Sequence, residues 1–337
     1  MLTIGVIGAG SWGTTLANLL ARKGHEVTLW AYEEDLVREM TVTRVNSAFL
    51  PGITLTESLN YTNSLQVAAA GKELVLFVSP TQVVRGVIKG ALPFLSQGAL
   101  LVNAAKGIEL DTLMTISQVF SELLPPELFS RFSVLSGPSF AKEVALDMPT
   151  AVVAASPDQA VACSVQEAFS TPCFRVYTNN DMIGVELGGS IKNVIAIAAG
   201  ISDGLGLGYN PRAALITRGL AEMARLGLSM GGQAATFAGL AGMGDLVLTC
   251  TGDLSRNRTV GMKLGEGMKL AEILAGMRMV AEGVKTAEST YLLAQRLGVE
   301  MPITEQVYRV LYEDKSPRQA VLDLMTRNLK EEGVEFG

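Results

Sequence analysis

From Leu2 to Tyr177 the chain alternates between short β-branched runs and segments of helical period. Leu2–Ile7 reads as a strand, Ser11–Lys23 as a helix and Glu26–Trp30 as a second strand, with another helix from Glu33. Glu73–Val78, Ala99–Ala104, Phe132–Leu135, Ala151–Ala155 and Phe174–Tyr177 read as further strands, most of them separated by helical segments. Alternation of this kind predicts a parallel, doubly wound sheet. After the turn-forming cluster Asn179-Asn180-Asp181 the pattern becomes helical, at Ile183–Ile201, Pro211–Leu226, Gln233–Ala238, Asn257–Leu264, Gly283–Leu297 and Ile303–Tyr312. The expected fold is an α/β domain over residues 1–180 followed by an all-α domain over 181–337.

The first turn of this alternation is Gly8-Ala9-Gly10-Ser11-Trp12-Gly13. A G-x-G-x-x-G alone is a weak signal, but this one directly follows an apolar strand and opens a helix. Gly8 then permits the tight turn, Gly10 lets the backbone approach a pyrophosphate, and Gly13 allows close helix–strand packing. The helix N-terminus favours phosphate through its N–H groups and dipole. The N-terminal domain is therefore expected to be Rossmann-type and to bind NAD or NADP. The second strand ends Trp30-Ala31-Tyr32. Glu33 and Glu34 come late for a ribose contact and also suit the first turn of a helix, and no Arg or Lys stands ready for a 2′-phosphate. The choice between NAD and NADP stays open.

With 337 residues, 48% of them hydrophobic and 18% charged, the chain has material for two domains and a large core. A net charge of −6 gives no field for polyanions, so no nucleic-acid partner is expected. Cys163, Cys173 and Cys250 are odd in number and widely spaced, which fits a reducing compartment and no metal site. Met1–Gly5 lacks a basic or long apolar segment, and Leu226–Gly244 carries six glycines, so neither a signal peptide nor a membrane span is expected. The expected location is cytoplasmic.

Reducing a carbonyl by hydride requires a proton donor. The only histidine, His25, falls in the turn into the second strand, at the sheet edge opposite the cofactor. No Tyr-x-x-x-Lys pair is present. Two lysines remain. Lys106 follows the strand Ala99–Ala104 and precedes Gly107, which leaves space around it. Lys192 is the only charge between Glu186 and Asp203, on an apolar helix where desolvation lowers an ammonium's pKa. Each also fits a solvated or snorkelling lysine. Ser136-Gly137-Pro138-Ser139-Phe140 and Gly242-Met243-Gly244-Asp245-Leu246 look like active-site loops, and Ser255-Arg256-Asn257-Arg258 combines hydroxyl, guanidinium, amide and helix N–H groups in a way that suits a phosphate.

Together these segments resemble the NAD-dependent glycerol-3-phosphate dehydrogenase family along essentially the whole chain. The likeness is carried by 8–13, Ala-Lys-Gly at 105–107, Ser-Gly-Pro-Ser-Phe-Ala-Lys-Glu at 136–143, Ile-Lys-Asn-Val-Ile-Ala-Ile at 191–197 and Asp-Gly-Leu-Gly at 203–206. It continues through Arg-Gly-Leu-Ala-Glu-Met at 218–223, Gly-Asp-Leu-Val-Leu-Thr-Cys at 244–250, Ser-Arg-Asn-Arg at 255–258 and Met-Pro-Ile-Thr-Glu at 301–305.

The resemblance implies that Lys192 exchanges the substrate proton, that Lys106 contacts substrate and cofactor, and that Asp245 orients the lysine and hydroxyl groups. It implies Asn193 and Thr249 as supporting groups, and Ser255, Arg256 and Asn257 with Gly137 and Ser139 around the substrate phosphate. Ser11, Trp12, Tyr32, Ala141, Arg256, Val280 and Glu282 match cofactor positions, Tyr32 at a variable one. The implied substrates are dihydroxyacetone phosphate and sn-glycerol 3-phosphate. The implied setting is a homodimer that supplies glycerophospholipid synthesis. Two alternatives stand beside it. One is a lysine-dependent dehydrogenase of hydroxy acids, which gives Ser-Arg-Asn no evident role. The other is a non-catalytic dinucleotide-binding regulator, which gives no reason for a desolvated Lys192.

Overall fold

The computed structural model describes residues 1–277, 281–329 and 331–332. They form two compact units, one of Met1–Lys106 with Ile116–Met182, the other of Gly107–Thr115 with the residues from Ile183 onward.

The first unit is built on ten strands: β1 (Thr3–Ile7), β2 (Glu26–Trp30), β3 (Val45–Asn46), β4 (Leu50–Thr54), β5 (Leu59–Thr62), β6 (Leu74–Phe77), β7 (Leu100–Asn103), β8 (Phe132–Ser136), β9 (Thr150–Ala155) and β10 (Phe174–Asn179). Eight of them make one sheet in the order β10-β9-β8-β7-β6-β1-β2-β5. Its helices are α1 (Ser11–Arg22), α2 (Glu34–Thr43), α3 (Leu65–Ala69), α4 (Val84–Ala91), α5 (Ile116–Leu123), α6 (Pro126–Phe129), α7 (Ala141–Ala145) and α8 (Gln159–Phe169). The chain runs outward from β1 through β2 to β5, then returns to β6 on the other side of β1. That reversal opens a crevice at the C-terminal ends of β1 and β6, where Gly8 sits. All four residues of β6 are buried, as befits a strand covered on both faces.

The sheet departs from the expected all-parallel arrangement at one junction, because β8 and β9 pair antiparallel. Their connection contains only the five-residue α7. At about 1.5 Å per residue such a helix spans less than half of a strand's length, too little for a parallel crossover. Strands β3, β4 and β5 also escaped the sequence reading. The short β3–β4 hairpin has no alternating pattern of its own, and β5 carries a single fully apolar position, Leu59. His25 acts as a brace at the α1–β2 turn. Its Nδ1 accepts the Leu2 N–H at 3.1 Å and its Nε2 lies 3.2 Å from the Ala168 carbonyl, while burial lowers its pKa.

The second unit is helical: α9 (Met182–Gly204), α10 (Tyr209–Ser229), α11 (Ala234–Phe237), α12 (Asp245–Thr251), α13 (Arg256–Gly265), α14 (Leu270–Ala275), α15 (Glu282–Leu297), α16 (Pro302–Tyr312) and α17 (Pro317–Met325). Helix α9 is long and apolar enough to cross a membrane, but 89% of its apolar window is buried among its neighbours, as expected of a core helix. It crosses α13 glycine on glycine. A Cβ on Gly200 would come within 2.0 Å of the Arg258 carbonyl oxygen, and one on Gly261 within 2.0 Å of that of Ile197. Gly204 and Gly265 continue the contact one turn further. Residues 107–115 belong to this unit through Ile108 and Leu113 in its core, Ser190 donating to the Gly107 carbonyl, and Arg296 donating to that of Thr112.

Helix α16 begins without a local cap, since Met301 occupies that position. The cap comes from α10. Both carboxylate oxygens of the buried Glu222 are used, accepting the Ile303 N–H at 2.5 Å and the Thr304 N–H and hydroxyl at 3.1 Å. Burial pushes the Glu222 carboxyl up to about 7, against the pull of these donors. A carboxyl raised in the folded state favours folding below about pH 4.5, and that contribution is lost as pH rises through about 7. Glu222→Gln keeps one acceptor and turns an NH2 towards a helix donor, so it is expected to cost about 1–3 kcal/mol. Melting curves should show the gap between wild type and variant widest near pH 5 and narrower at pH 8. A gap independent of pH would refute the burial effect on Glu222.

Candidate active site

In the first unit, Gly8 adopts φ 125°, which disfavours any side chain, and a Cβ there would strike the Val78 carbonyl group at 2.8 Å. At Gly13 a Cβ would meet the Gly8 carbonyl oxygen at 1.9 Å, so loop and helix can touch only through glycine. Gly10 differs, having open space where its side chain would stand, and no side chain caps α1 there. These positions leave an uncovered helix N-terminus approachable by a phosphate. The indole N–H of Trp12 is buried, with no hydrogen-bond partner among the described residues. An open approach at Gly10, an uncapped α1 and this indole donor fit a dinucleotide cradle. Ser11 donates to the Phe49 carbonyl at 2.5 Å. Ala141 opens α7, and its carbonyl accepts from Thr15 of α1 at 3.1 Å. Tyr32, just past β2, is 81% exposed.

One residue of this cradle left no trace in the sequence pattern. Asn46 is fully buried, donates to the Ala9 carbonyl and the Thr14 hydroxyl at 2.8 Å each, and accepts the Phe49 N–H at 2.9 Å. It ties the glycine loop to the β3–β4 hairpin, a non-local partner that spacing along the chain does not reveal.

Also in this unit, Lys106 Nζ and Ser139 Oγ both donate to the Gly137 carbonyl, at 3.1 and 2.9 Å. Gly137 has φ 148° and lies so close to Val152 that a Cβ would approach its Cα to 2.9 Å. Lys106, Gly137 and Ser139 therefore form one cluster past the ends of β7 and β8.

In the second unit, Lys192 lies on the buried face of α9 and is 7% exposed. Its ammonium donates to Asp245 Oδ1 at 2.5 Å and Thr249 Oγ1 at 2.7 Å. Helix periodicity builds this cluster twice over. Asp245 and Thr249 lie one turn apart on α12, and Gly188 lies one turn before Lys192 on α9. A Cβ on Gly188 would stand 2.6 Å from the Ala241 carbonyl oxygen, so its absence seats the π-helical turn Leu240–Gly244 against α9 and delivers Asp245 to the lysine. Burial pushes the neighbouring Cys250 thiol up to about 12, with Lys192 pulling the other way, so this thiol is neutral and inert.

Asn193, next along α9, accepts from Asn257 Nδ2 at 2.9 Å. Ser255 caps α13 by accepting the Arg258 N–H at 3.2 Å. Arg256 stands on the first turn of α13. Desolvation of its guanidinium lowers its pKa, and the carboxylate of Glu282 at the start of α15 opposes that shift. Arg258, the fourth residue of this motif, is committed elsewhere, pairing with Asp203 at 2.7 Å and Asp253 at 2.9 Å. Val280 lies outside the described residues.

Residues 3–162 match the family model for the NAD-dependent glycerol-3-phosphate dehydrogenase N-terminus, and 181–322 match that for its C-terminus. The chain is 74% identical to glycerol-3-phosphate dehydrogenase [NAD(P)+] of Geobacter sulfurreducens over 98% of each chain. It is 70% identical to that of Geobacter metallireducens over the same share. A crystal structure of glycerol-3-phosphate dehydrogenase from Coxiella burnetii superposes with a TM-score of 0.92 at 45% identity, covering 97% of this chain and 99% of that one. The chain belongs to the NAD-dependent glycerol-3-phosphate dehydrogenase family.

Proposed function

We propose that the chain catalyses reversible, NAD(P)-linked interconversion of dihydroxyacetone phosphate and sn-glycerol 3-phosphate. The observation that carries this reading is the buried Lys192, held by Asp245 at 2.5 Å and Thr249 at 2.7 Å in a chain that also bears an open glycine cradle. Residues 1–180 carry the glycine cradle for the nucleotide and 181–337 carry the proton chemistry. Gly8, Gly10, Gly13, Ser11, Trp12, Tyr32, Lys106, Ala141, Arg256, Val280 and Glu282 are the residues assigned to the nucleotide. When bound, the nicotinamide supplies or accepts the hydride at substrate C2.

Lys192 gives a proton to the carbonyl oxygen as negative charge builds on it, and takes the hydroxyl proton in the reverse direction. Asp245 and Thr249 fix the ammonium in place, so little reorganisation accompanies transfer. Ser255, Arg256 and Asn257 hold the phosphate that takes no part in bond making, and so fix which carbon is presented. Lys106 and Asn193 add donors. The physiological setting proposed is cytoplasmic, as a homodimer, in the reductive direction that feeds glycerophospholipid synthesis.

The test follows NADH and NADPH oxidation with dihydroxyacetone phosphate, and then with unphosphorylated dihydroxyacetone. Arg256→Ala removes a charge-assisted pair, so KM for the phosphorylated ketone is expected to rise about 10–100-fold. At saturating nucleotide, activity on the unphosphorylated ketone should change little. An equal loss on both ketones would remove Arg256 from the phosphate site. Oxidation with 2-oxo acids alone would move the chain to the hydroxy-acid class, and binding of nucleotide without turnover would leave only a regulator. The two rates with NADH and NADPH give the nucleotide preference.

A further inference from the structure

Helix α15 starts with Ala281 at its cap position, a residue with no side-chain acceptor. The second N–H of any helix has no intrahelical partner. Here that N–H is Gly283's, and it is received by a different helix: Asn257 Oδ1 accepts it at 3.0 Å. Asn257 Nδ2 in turn donates to Asn193 Oδ1 at 2.9 Å.

An asparagine amide can turn over, exchanging its oxygen for its NH2 group, and two paired asparagines can turn over together. A backbone N–H cannot reverse. Gly283 therefore fixes which end of Asn257 faces α15, and through Asn257 which end of Asn193 accepts. With this polarity Asn257 keeps one amide hydrogen beyond the one given to Asn193, and Asn193 keeps both of its own. Turned over, the pair would offer carbonyl oxygens in their place.

We propose that Gly283 is a positioning residue for the substrate anion: its N–H sets the polarity of the Asn257–Asn193 pair so that both side chains present donors. This rests on the assignment of Asn193 and Asn257 to the substrate. Glycine is required by space as well. A Cβ at 283 would lie 2.7 Å from both the Asn193 carbonyl oxygen and Asn257 Oδ1, and 3.0 Å from Asn257 Cγ.

Three measurements on the full chain test it. Amide hydrogen exchange should show Gly283 N–H protected in wild type and exchanging about tenfold faster or more in Asn257→Ala. Calorimetric titration with sn-glycerol 3-phosphate, beside steady-state kinetics, should show Gly283→Ala raising Kd and KM by about tenfold or more while kcat stays within about threefold. The double variant Asn257→Ala/Gly283→Ala should bind within about twofold of Asn257→Ala, because the amide through which Gly283 orients Asn193 is already gone.

Wild-type affinity in Gly283→Ala, further weakening in the double variant, or unchanged exchange of Gly283 N–H in Asn257→Ala would each overturn the proposal. If Gly283→Ala does not fold, the exchange result and the double variant, which relieves the contact with Asn257, decide. A wild type that binds no glycerol phosphate refutes the substrate assignment instead, and the exchange result tells the two failures apart.

Discussion

Lys192→Met is expected to lower kcat by about two to four decades while NADH still binds, because it removes the proton donor and leaves the glycine cradle untouched. The same substitution removes the countercharge of Asp245, a carboxylate that is 1% exposed. Losing one partner of a buried pair costs about 3–5 kcal/mol, so a large fall in melting temperature should accompany the loss of rate. The two effects separate in Lys192→Met/Asp245→Asn. There the buried charge is gone, stability should return towards wild type, and activity should stay lost. Recovery of activity together with stability would show that Lys192 serves the fold alone. Full activity in Lys192→Met would transfer the proton to another group, with Lys106 next to examine.

Gly261→Val should abolish the folded helical unit. Even its Cβ would sit 2.0 Å from the Ile197 carbonyl oxygen and 2.9 Å from the Ile201 nitrogen, both main-chain atoms that no rotamer change can move. The helices would have to separate, taking with them the start of α13 and the Asn257–Asn193 bond. Overpacking of a close-packed core costs about 1–3 kcal/mol when side chains can adjust, and more where they cannot. Far-UV circular dichroism and calorimetry should therefore show a lost or strongly lowered transition, whereas Gly267→Ala, where a Cβ would meet nothing within 4 Å, tests only the strain of a φ of 98° and should cost far less. Equal behaviour of the two variants would mean that the crossing tolerates separation.

The parts of this molecule that repeat along the chain were legible in its sequence. The alternation in the first unit and the periodicity in the second gave β1, β2, β6–β10 and the long helices to within a few residues. The motifs from Gly8 to Asn257 were also visible, because a glycine in a helix or a lone lysine among apolar residues is an anomaly that local propensity does not explain. What stayed hidden acts across the chain. Asn46 is a polar residue in a hairpin that has no pattern. Glu222 and Gly283 lie in segments of plain helical period, and the partner of each is distant in sequence. Their signal was indirect: the residues at the start of α15 and α16, Ala281 and Met301, are poor caps. A helix that begins without its own cap asks for an acceptor from elsewhere. The antiparallel β8–β9 pairing was likewise readable only from the length of α7, a quantity that sequence boundaries place poorly.

Residues 107–115 make the chain change unit three times, after Lys106, after Thr115 and after Met182. The two units are therefore not modules in the genetic sense. A fragment ending near residue 180 would carry Ile108 and Leu113 away from the helices that bury them, and the complementary fragment would start with a vacancy where Ile108 belongs. Recombination that exchanges one unit between relatives must move three joints at once, so that 107–115 travels with the helices. Shuffling at a single crossover is thus expected to yield insoluble chimeras unless the parents already agree across this nine-residue strap.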